Sequence, residues 1–185
     1  MIDSPIRVAI VEDTDDIREA LRVLINGSNG FECLHVYPDA EAALKDIPQQ
    51  EVDVVLMDIH LPGLDGIGCM TQLSERMPRT QFMMCTVYDD DDHVFNALQS
   101  GASGYLLKRT SPAQILEAIR DLHDGGSPMS SEIARRVVRS MQNRSRHSES
   151  AEILTGREKE ILDFLAKGYL YKEIATELFI SKETV

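Results

Sequence analysis

The chain has no tryptophan, and aromatic residues occupy only 5% of its 185 positions. Its core must therefore come from aliphatic side chains and eight methionines, within a hydrophobic fraction of 43%. Cysteine is also scarce: Cys33, Cys69 and Cys85 share no CxxC spacing. That argues against a disulfide framework or a thiolate metal site, and leaves reduced, buried thiols as the expectation. No apolar run approaches the ~20 residues that cross a bilayer. The N-terminus lacks the basic region and apolar core of a signal peptide. The expectation is a cytoplasmic protein with no membrane partner. Positive charge is in deficit too, with a formal net charge of -12. Residues 1–125 hold 22 acidic and 9 basic side chains (net -13), and residues 126–185 hold 9 and 10 (net +1). This asymmetry predicts two modules with different partners. The acidic module should be repelled by nucleic acid, whereas the near-neutral one can approach it without a strong basic patch.

What is present begins with Val54-Val55-Leu56-Met57, an apolar run that ends on Asp58 and the loop Ile59-His60-Leu61-Pro62-Gly63. Such a run predicts a strand buried on both faces of a parallel sheet. Arg7-Val8-Ala9-Ile10-Val11 ends similarly on Glu12-Asp13. Further strands are expected over Glu32 to Val36, over Gln81 to Cys85 ending at Thr86, and over Gly104 to Leu107 ending at Lys108. Helical spacing falls between them. Ile17, Ala20, Leu21 and Leu24 mark one buried face; Ala42, Ala43 and Ile47 mark another behind the cap Asp39. Helices also follow near Gly66 to Arg76 and Asp91 to Ser100. A fifth opens at Ser111, with Gln114 completing a capping box and Ile115, Ala118, Ile119 and Leu122 turned inward. The acidic loop Asp89 to Asp92 reads as a solvated segment that caps the fourth helix. Five strands alternating with five helices predict an α/β fold, a doubly wound five-stranded parallel sheet.

Residues 126–150 change character. Serine and arginine are frequent, and Ile133, Val137 and Met141 fall at helical spacing, so this stretch reads as a partly helical linker. Residues 151–185 carry a second capping box, Thr155-Gly156-Arg157-Glu158, then a helix to about Gly168. A short helix from Tyr171 to Leu178 and a turn at Ile180-Ser181 complete a helix-turn-helix pattern with small Ala175 at the crossing. The expected domains are thus 1–125, 126–150 and 151–185.

In a doubly wound sheet the strand ends Glu12-Asp13, Asp58, Thr86 and Lys108 converge on one rim. Three crowded carboxylates need a cation, and oxygen-only ligands favour Mg²⁺, which binds alongside phosphate. A carboxylate can act as a nucleophile and form an aspartyl phosphate. Phosphoryl transfer chiefly requires positioning and charge neutralisation, which Mg²⁺ and Lys108 can supply.

Residues 6–125 resemble the receiver domain of bacterial two-component response regulators. The resemblance rests on Val11-Glu12-Asp13, on Leu56 to Gly66, on Thr86 and on Gly101-Ala102-Ser103-Gly104-Tyr105-Leu106-Leu107-Lys108. Residues 151–185 resemble the start of a NarL/LuxR-type DNA-binding domain, through Leu154 to Glu158, Leu165 to Gly168, Lys172 to Ala175 and Ile180 to Val185. The receiver resemblance implies a flavodoxin-like fold in which Asp58 accepts a phosphoryl group from a sensor histidine kinase. It implies that Glu12, Asp13, Asp58 and the His60 backbone carbonyl hold Mg²⁺. Lys108 would bind the acyl phosphate, Thr86 would move to it, and Tyr105 would rotate inward as the readout. It also implies a phosphoacceptor switch rather than an enzyme, with slow self-dephosphorylation; the His60 side chain, at the pocket mouth, is expected to tune that loss, and a homodimer on phosphorylation is expected because DNA half-sites are usually read by paired modules. Lys182 and Thr184 fall at the start of the recognition helix. That helix has barely begun at Val185, so DNA is expected as a partner of the complete domain and not of these 185 residues alone. Val87 stands where the family often has alanine, and its bulk is expected to narrow the phosphate pocket. Two other readings stay open: a receiver acting through protein–protein contacts with a non-functional DNA-binding remnant, and a Mg²⁺-dependent phosphatase. The latter usually places a second acid two residues after the nucleophile, where this chain has His60.

Overall fold

The computed structural model describes residues 4–140, 160, 161, 164, 169 and 171–178. Five strands, β1 (Ile6–Val11), β2 (Phe31–Tyr37), β3 (Val54–Met57), β4 (Gln81–Thr86) and β5 (Gly104–Leu107), form one sheet in the order β2-β1-β3-β4-β5. Every pairing is parallel. Five helices connect or follow them: α1 (Asp15–Asn26), α2 (Ala40–Asp46), α3 (Gly66–Arg76), α4 (Asp91–Gln99) and α5 (Pro112–His123). This is the flavodoxin-like doubly wound order, whose topological switch lies between β1 and β3.

Side chains alternate across a strand with period two, and here the alternation sorts two aliphatic cores. Val8, Ile10, Val54, Leu56, Met83 and Leu106 face Leu21 and Ile25 of α1 and Ile115, Ile119 and Leu122 of α5. Ala9, Val11, Val55, Met57, Met84 and Tyr105 face α2, α3 and α4 through Ala43, Met70, Leu73, Val94 and Ala97. All four β3 residues are buried, as their unbroken apolar run requires. Met57, Met70, Met83 and Met84 are fully enclosed, and the three cysteines are buried and free.

Local signals act as expected at most helix ends. Asp39 and Asp65 accept hydrogen bonds from the Ala42 and Gly68 N–H groups, each at 2.7 Å. Gln114 Oε1 accepts from the Ser111 N–H (3.4 Å) and hydroxyl (2.8 Å). The α1 face differs from expectation. Ala20 is exposed, and Ile25 is fully buried instead. The helix settles with its larger side chain inward, because apolar area rather than ideal spacing sets its rotation.

A compact unit runs through Ser140. Residues 131–140 form a further helix, α6. Ile133 is fully buried and Val137 packs beside it against the α2–α4 core. The expected boundary at residue 125 therefore does not coincide with the end of this unit, since Ile133 completes its core. In the second unit, α7 (Tyr171–Glu177) buries Ile174 and Ala175. The capping box at residues 155–158, Met141, Lys182 and Thr184 lie outside the described residues.

Candidate functional site

Main-chain hydrogen bonds carry the sheet's order one residue past its strands. The Glu12 N–H donates to the Tyr37 carbonyl (3.0 Å), the Asp58 N–H to Val11 (2.9 Å) and the Lys108 N–H to Thr86 (2.9 Å). These bonds fix Glu12, Asp58, Thr86 and Lys108 on one rim, as the strand-end pattern predicts. Beyond β3 the chain turns sharply. Gly63 adopts φ +76°, and the Gly66 N–H returns to the Ile59 carbonyl at 2.9 Å. A Cβ on Gly66 would lie 1.8 Å from the Asp58 carbonyl oxygen. Only glycine lets α3 begin this close to the Asp58 backbone.

Lys108 Nζ lies 2.7 Å from Asp58 Oδ2 and 2.6 Å from Glu12 Oε2. Glu12 and Asp58 are only 2% and 4% exposed, and Thr86 is fully buried. Burial raises the Glu12 carboxyl above its ordinary value, against the opposing pull of Lys108. Burial also disfavours the Lys108 ammonium, but hydrogen bonds to Asp58 and Glu12 outweigh it and hold its pKa above the usual lysine value. The site is thus a low-dielectric pocket in which one cation is shared by two buried carboxylates.

Asp13 is exposed beside them. Single oxygens of Glu12, Asp13 and Asp58 lie within 4.8 Å of one another. Asp58 Oδ1 is buried and has no hydrogen-bond partner. A buried acceptor without a donor is costly, and a divalent cation or a phosphorus centre at this oxygen would satisfy it. The all-oxygen donor set suits Mg²⁺. The residues present therefore fit the cation that the three carboxylates imply.

Arg18 was not singled out from the sequence, yet it belongs to this site. Its guanidinium donates to the carbonyls of Glu12 (2.7 Å) and Asp13 (3.2 Å) and pairs with Asp15. An arginine one turn into α1, six residues after Glu12, was the available signal. Tyr88 was also missed. Its N–H donates to the Thr86 hydroxyl at 3.5 Å, and its carbonyl accepts from the Tyr105 hydroxyl at 2.8 Å. A short polar path thus runs from the rim to Tyr105. The Tyr105 ring is already fully enclosed in this state, so an inward rotation on phosphorylation finds no outward starting position here. Its hydroxyl bond to the Tyr88 carbonyl holds it there.

At the pocket mouth His60 is exposed, with its ring centroid 6.5 Å from that of Tyr88, which stacks on His93 at 4.5 Å. Val87 is 68% exposed. Its bulk meets solvent rather than filling the pocket, so the expected narrowing is not seen. Asp90 caps α4 through the His93 N–H at 3.1 Å, while Asp89 and Asp91 pair with arginines.

Residues 8–120 match the family model described as "Response regulator receiver domain", and residues 152–185 match "Bacterial regulatory proteins, luxR family". The chain belongs to the response-regulator family. This regulator is similar to the oxygen regulatory protein NreC of Staphylococcus aureus (strain bovine RF122 / ET3-1), with 32% identity over 185 residues, 97% of this chain and 85% of the relative. Among solved structures it resembles a LuxR-family two-component response regulator from Aurantimonas sp. SI85-9A1. That match has a TM-score of 0.70 and 28% identity, and covers 75% of this chain and 99% of the other. The response regulator ChrA of a heme-sensing two-component system matches with a TM-score of 0.61 and 28% identity, over 98% of this chain and 85% of its own. The regulator thus joins a receiver to a LuxR-type DNA-binding segment and acts in two-component control of transcription. Its acidic pocket is of the kind in which receivers bind Mg²⁺. Among the described residues, no helix is long and apolar enough to cross a membrane.

Proposed function

We propose that Asp58 accepts a phosphoryl group from the phosphohistidine of a sensor histidine kinase, and that this switches the C-terminal DNA-binding domain. The observation that carries this reading is the buried, unpartnered Asp58 Oδ1 beside an oxygen Oδ2 held by Lys108. One carboxylate oxygen is fixed and the other is left without a partner. In the transfer, the new oxygen–phosphorus bond forms as the phosphorus–nitrogen bond of the donor breaks. Glu12, Asp13, Asp58 and the His60 backbone carbonyl would hold Mg²⁺, which when bound neutralises charge on the phosphoryl oxygens. Lys108 supplies a second positive charge beside Asp58 Oδ2. Thr86 gives up Tyr88 to bond the phosphoryl group, and Tyr105 reads the change through the Tyr88 carbonyl.

The protein is read as a phosphoacceptor switch with slow self-dephosphorylation, not as a turnover enzyme, and as a cytoplasmic one. DNA half-sites are usually read by paired modules, so the phosphorylated form is expected to dimerise. Lys182 and Thr184 are proposed to begin the DNA-contacting helix of the complete domain. A small phosphodonor with Mg²⁺ should add one phosphoryl group, seen by intact mass, and Asp58→Asn should not label. Persistent labelling of Asp58→Asn refutes the assignment.

A further inference from the structure

The loop that follows β3 is held from outside as well as from within. It leaves the sheet at Asp58, passes the pocket mouth and enters α3 at Gly66. Ile59 and Leu61 are buried, and His60 between them is exposed. The Gly66 N–H closes the inner side on the Ile59 carbonyl at 2.9 Å. On the outer side the Leu64 N–H donates to Oε1 of Glu41, a residue of α2, at 3.3 Å. Gly63, at φ +76°, leaves room for that carboxylate. A Cβ on Gly63 would lie 2.6 Å from Glu41 Oε1 and 3.4 Å from Oε2. A bare turn residue and a main-chain donor beside it thus meet one side chain from a distant helix.

Glu41 projects from a firmly tied base. Asp39 caps the start of α2 through the Ala42 N–H at 2.7 Å. Near its end, Asp46 accepts from the Tyr37 hydroxyl of β2 at 2.6 Å. From α3, the Cys69 thiol donates to the Ala40 carbonyl at 3.7 Å and the Arg76 guanidinium to the Leu44 carbonyl at 2.9 Å. Ala40 and Ala43 are fully buried. A group carried on such a helix fixes a neighbouring loop better than one carried on another loop. Glu41 also stands in the first turn of α2, where negative charge suits the helix dipole. That use requires neither the bond to Leu64 nor the space left by Gly63.

We propose that Glu41 is a positioning residue for the cation site: by holding the Gly63–Leu64 turn it sets the place of the His60 backbone carbonyl. This rests on the reading in which that carbonyl is a Mg²⁺ ligand. Mg²⁺ demands near-ideal octahedral geometry, so a carbonyl carried on a loosened loop serves it less well. Glu41 acts through the main chain of the turn. Its bond to the Leu64 N–H needs an acceptor oxygen rather than a charge, so Glu41→Gln keeps what Glu41→Ala removes.

The test is calorimetric titration of the whole chain with Mg²⁺ alone, paired with amide hydrogen exchange at Leu64 without metal. The bond is exposed, so the effect is that of one ordinary hydrogen bond. Glu41→Ala should speed Leu64 exchange and weaken Mg²⁺ binding, each roughly fivefold. Glu41→Gln should recover most of both. A Glu41→Ala protein with unchanged Leu64 exchange or unchanged Mg²⁺ binding overturns the positioning role. So does a Glu41→Gln protein as weak as Glu41→Ala, which traces the effect to charge. A parent protein that takes up no Mg²⁺ overturns the cation site, and this inference with it.

Discussion

Replacing Lys108 by methionine keeps length and apolar volume but removes the one ammonium shared by Glu12 and Asp58. Both carboxylates are almost fully buried and within 2.7 Å of that nitrogen. Removing one partner of a buried pair costs about 3–5 kcal/mol, because the other charge is left uncompensated. The rim is wet enough, with the Lys108 side chain 13% exposed, that the lower end applies: about 3 kcal/mol, or roughly 10 °C in Tm for a domain of this size. The pH dependence has a definite sign. The folded-state pKa of Glu12 is already raised by burial while Lys108 opposes the rise, so the substitution raises it further. A carboxyl whose folded pKa exceeds its unfolded value favours folding when protonated. That contribution is complete below the unfolded value of ~4.3 and is lost as pH rises through the folded one. The deficit of Lys108→Met should therefore be largest at neutral pH and shrink towards ~pH 5. Mg²⁺ should narrow it at neutral pH by supplying charge to the same oxygens. Urea unfolding at both pH values, with and without Mg²⁺, reads all of this. A deficit under ~1 kcal/mol at neutral pH, or one equal at both pH values, refutes the reasoning.

Two more predictions follow from close contacts at the rim. Gly66→Ala must displace the Asp58 backbone; it should lower unfolding stability by at least ~2 kcal/mol and abolish labelling, and a stable, labelled variant would show that α3 can retreat. Arg18→Ala should weaken Mg²⁺ binding roughly 10-fold by loosening the Glu12 and Asp13 carbonyls, while shifting the unfolding midpoint little; unchanged titration by Mg²⁺ would remove Arg18 from the site.

The sheet and the rim were legible because their signals are local and redundant. Buried strands such as Val54–Met57 read as unbroken apolar runs, and each ends on a polar residue. Arg18 was less legible because it acts on backbone carbonyls, which no residue pattern announces. Ile25 displaced Ala20 because helix rotation answers to total buried area. The packing of residues 127–140 was least legible of all. Serine-rich, arginine-rich composition signals solvated chain, and only the three-dimensional proximity of Ile133 to Val94 and Tyr105 shows that one apolar side chain outweighs it. Tyr88 joins Thr86 to Tyr105 through its main chain, so its identity carried no message.

Pro128 acts at one edge of the sheet. A parallel sheet with two open edges is a template for pairing with other chains. On β5 the Tyr105 N–H is occupied by the Pro128 carbonyl. Proline offers no N–H to β5 in return, and the pairing ends, among the described residues, with the single bridge of Met129 to Tyr105. The edge is finished with a terminus instead of being extended. Displacing residues 127–130 from β5 would leave that edge bare, and the solubility limit should fall with it.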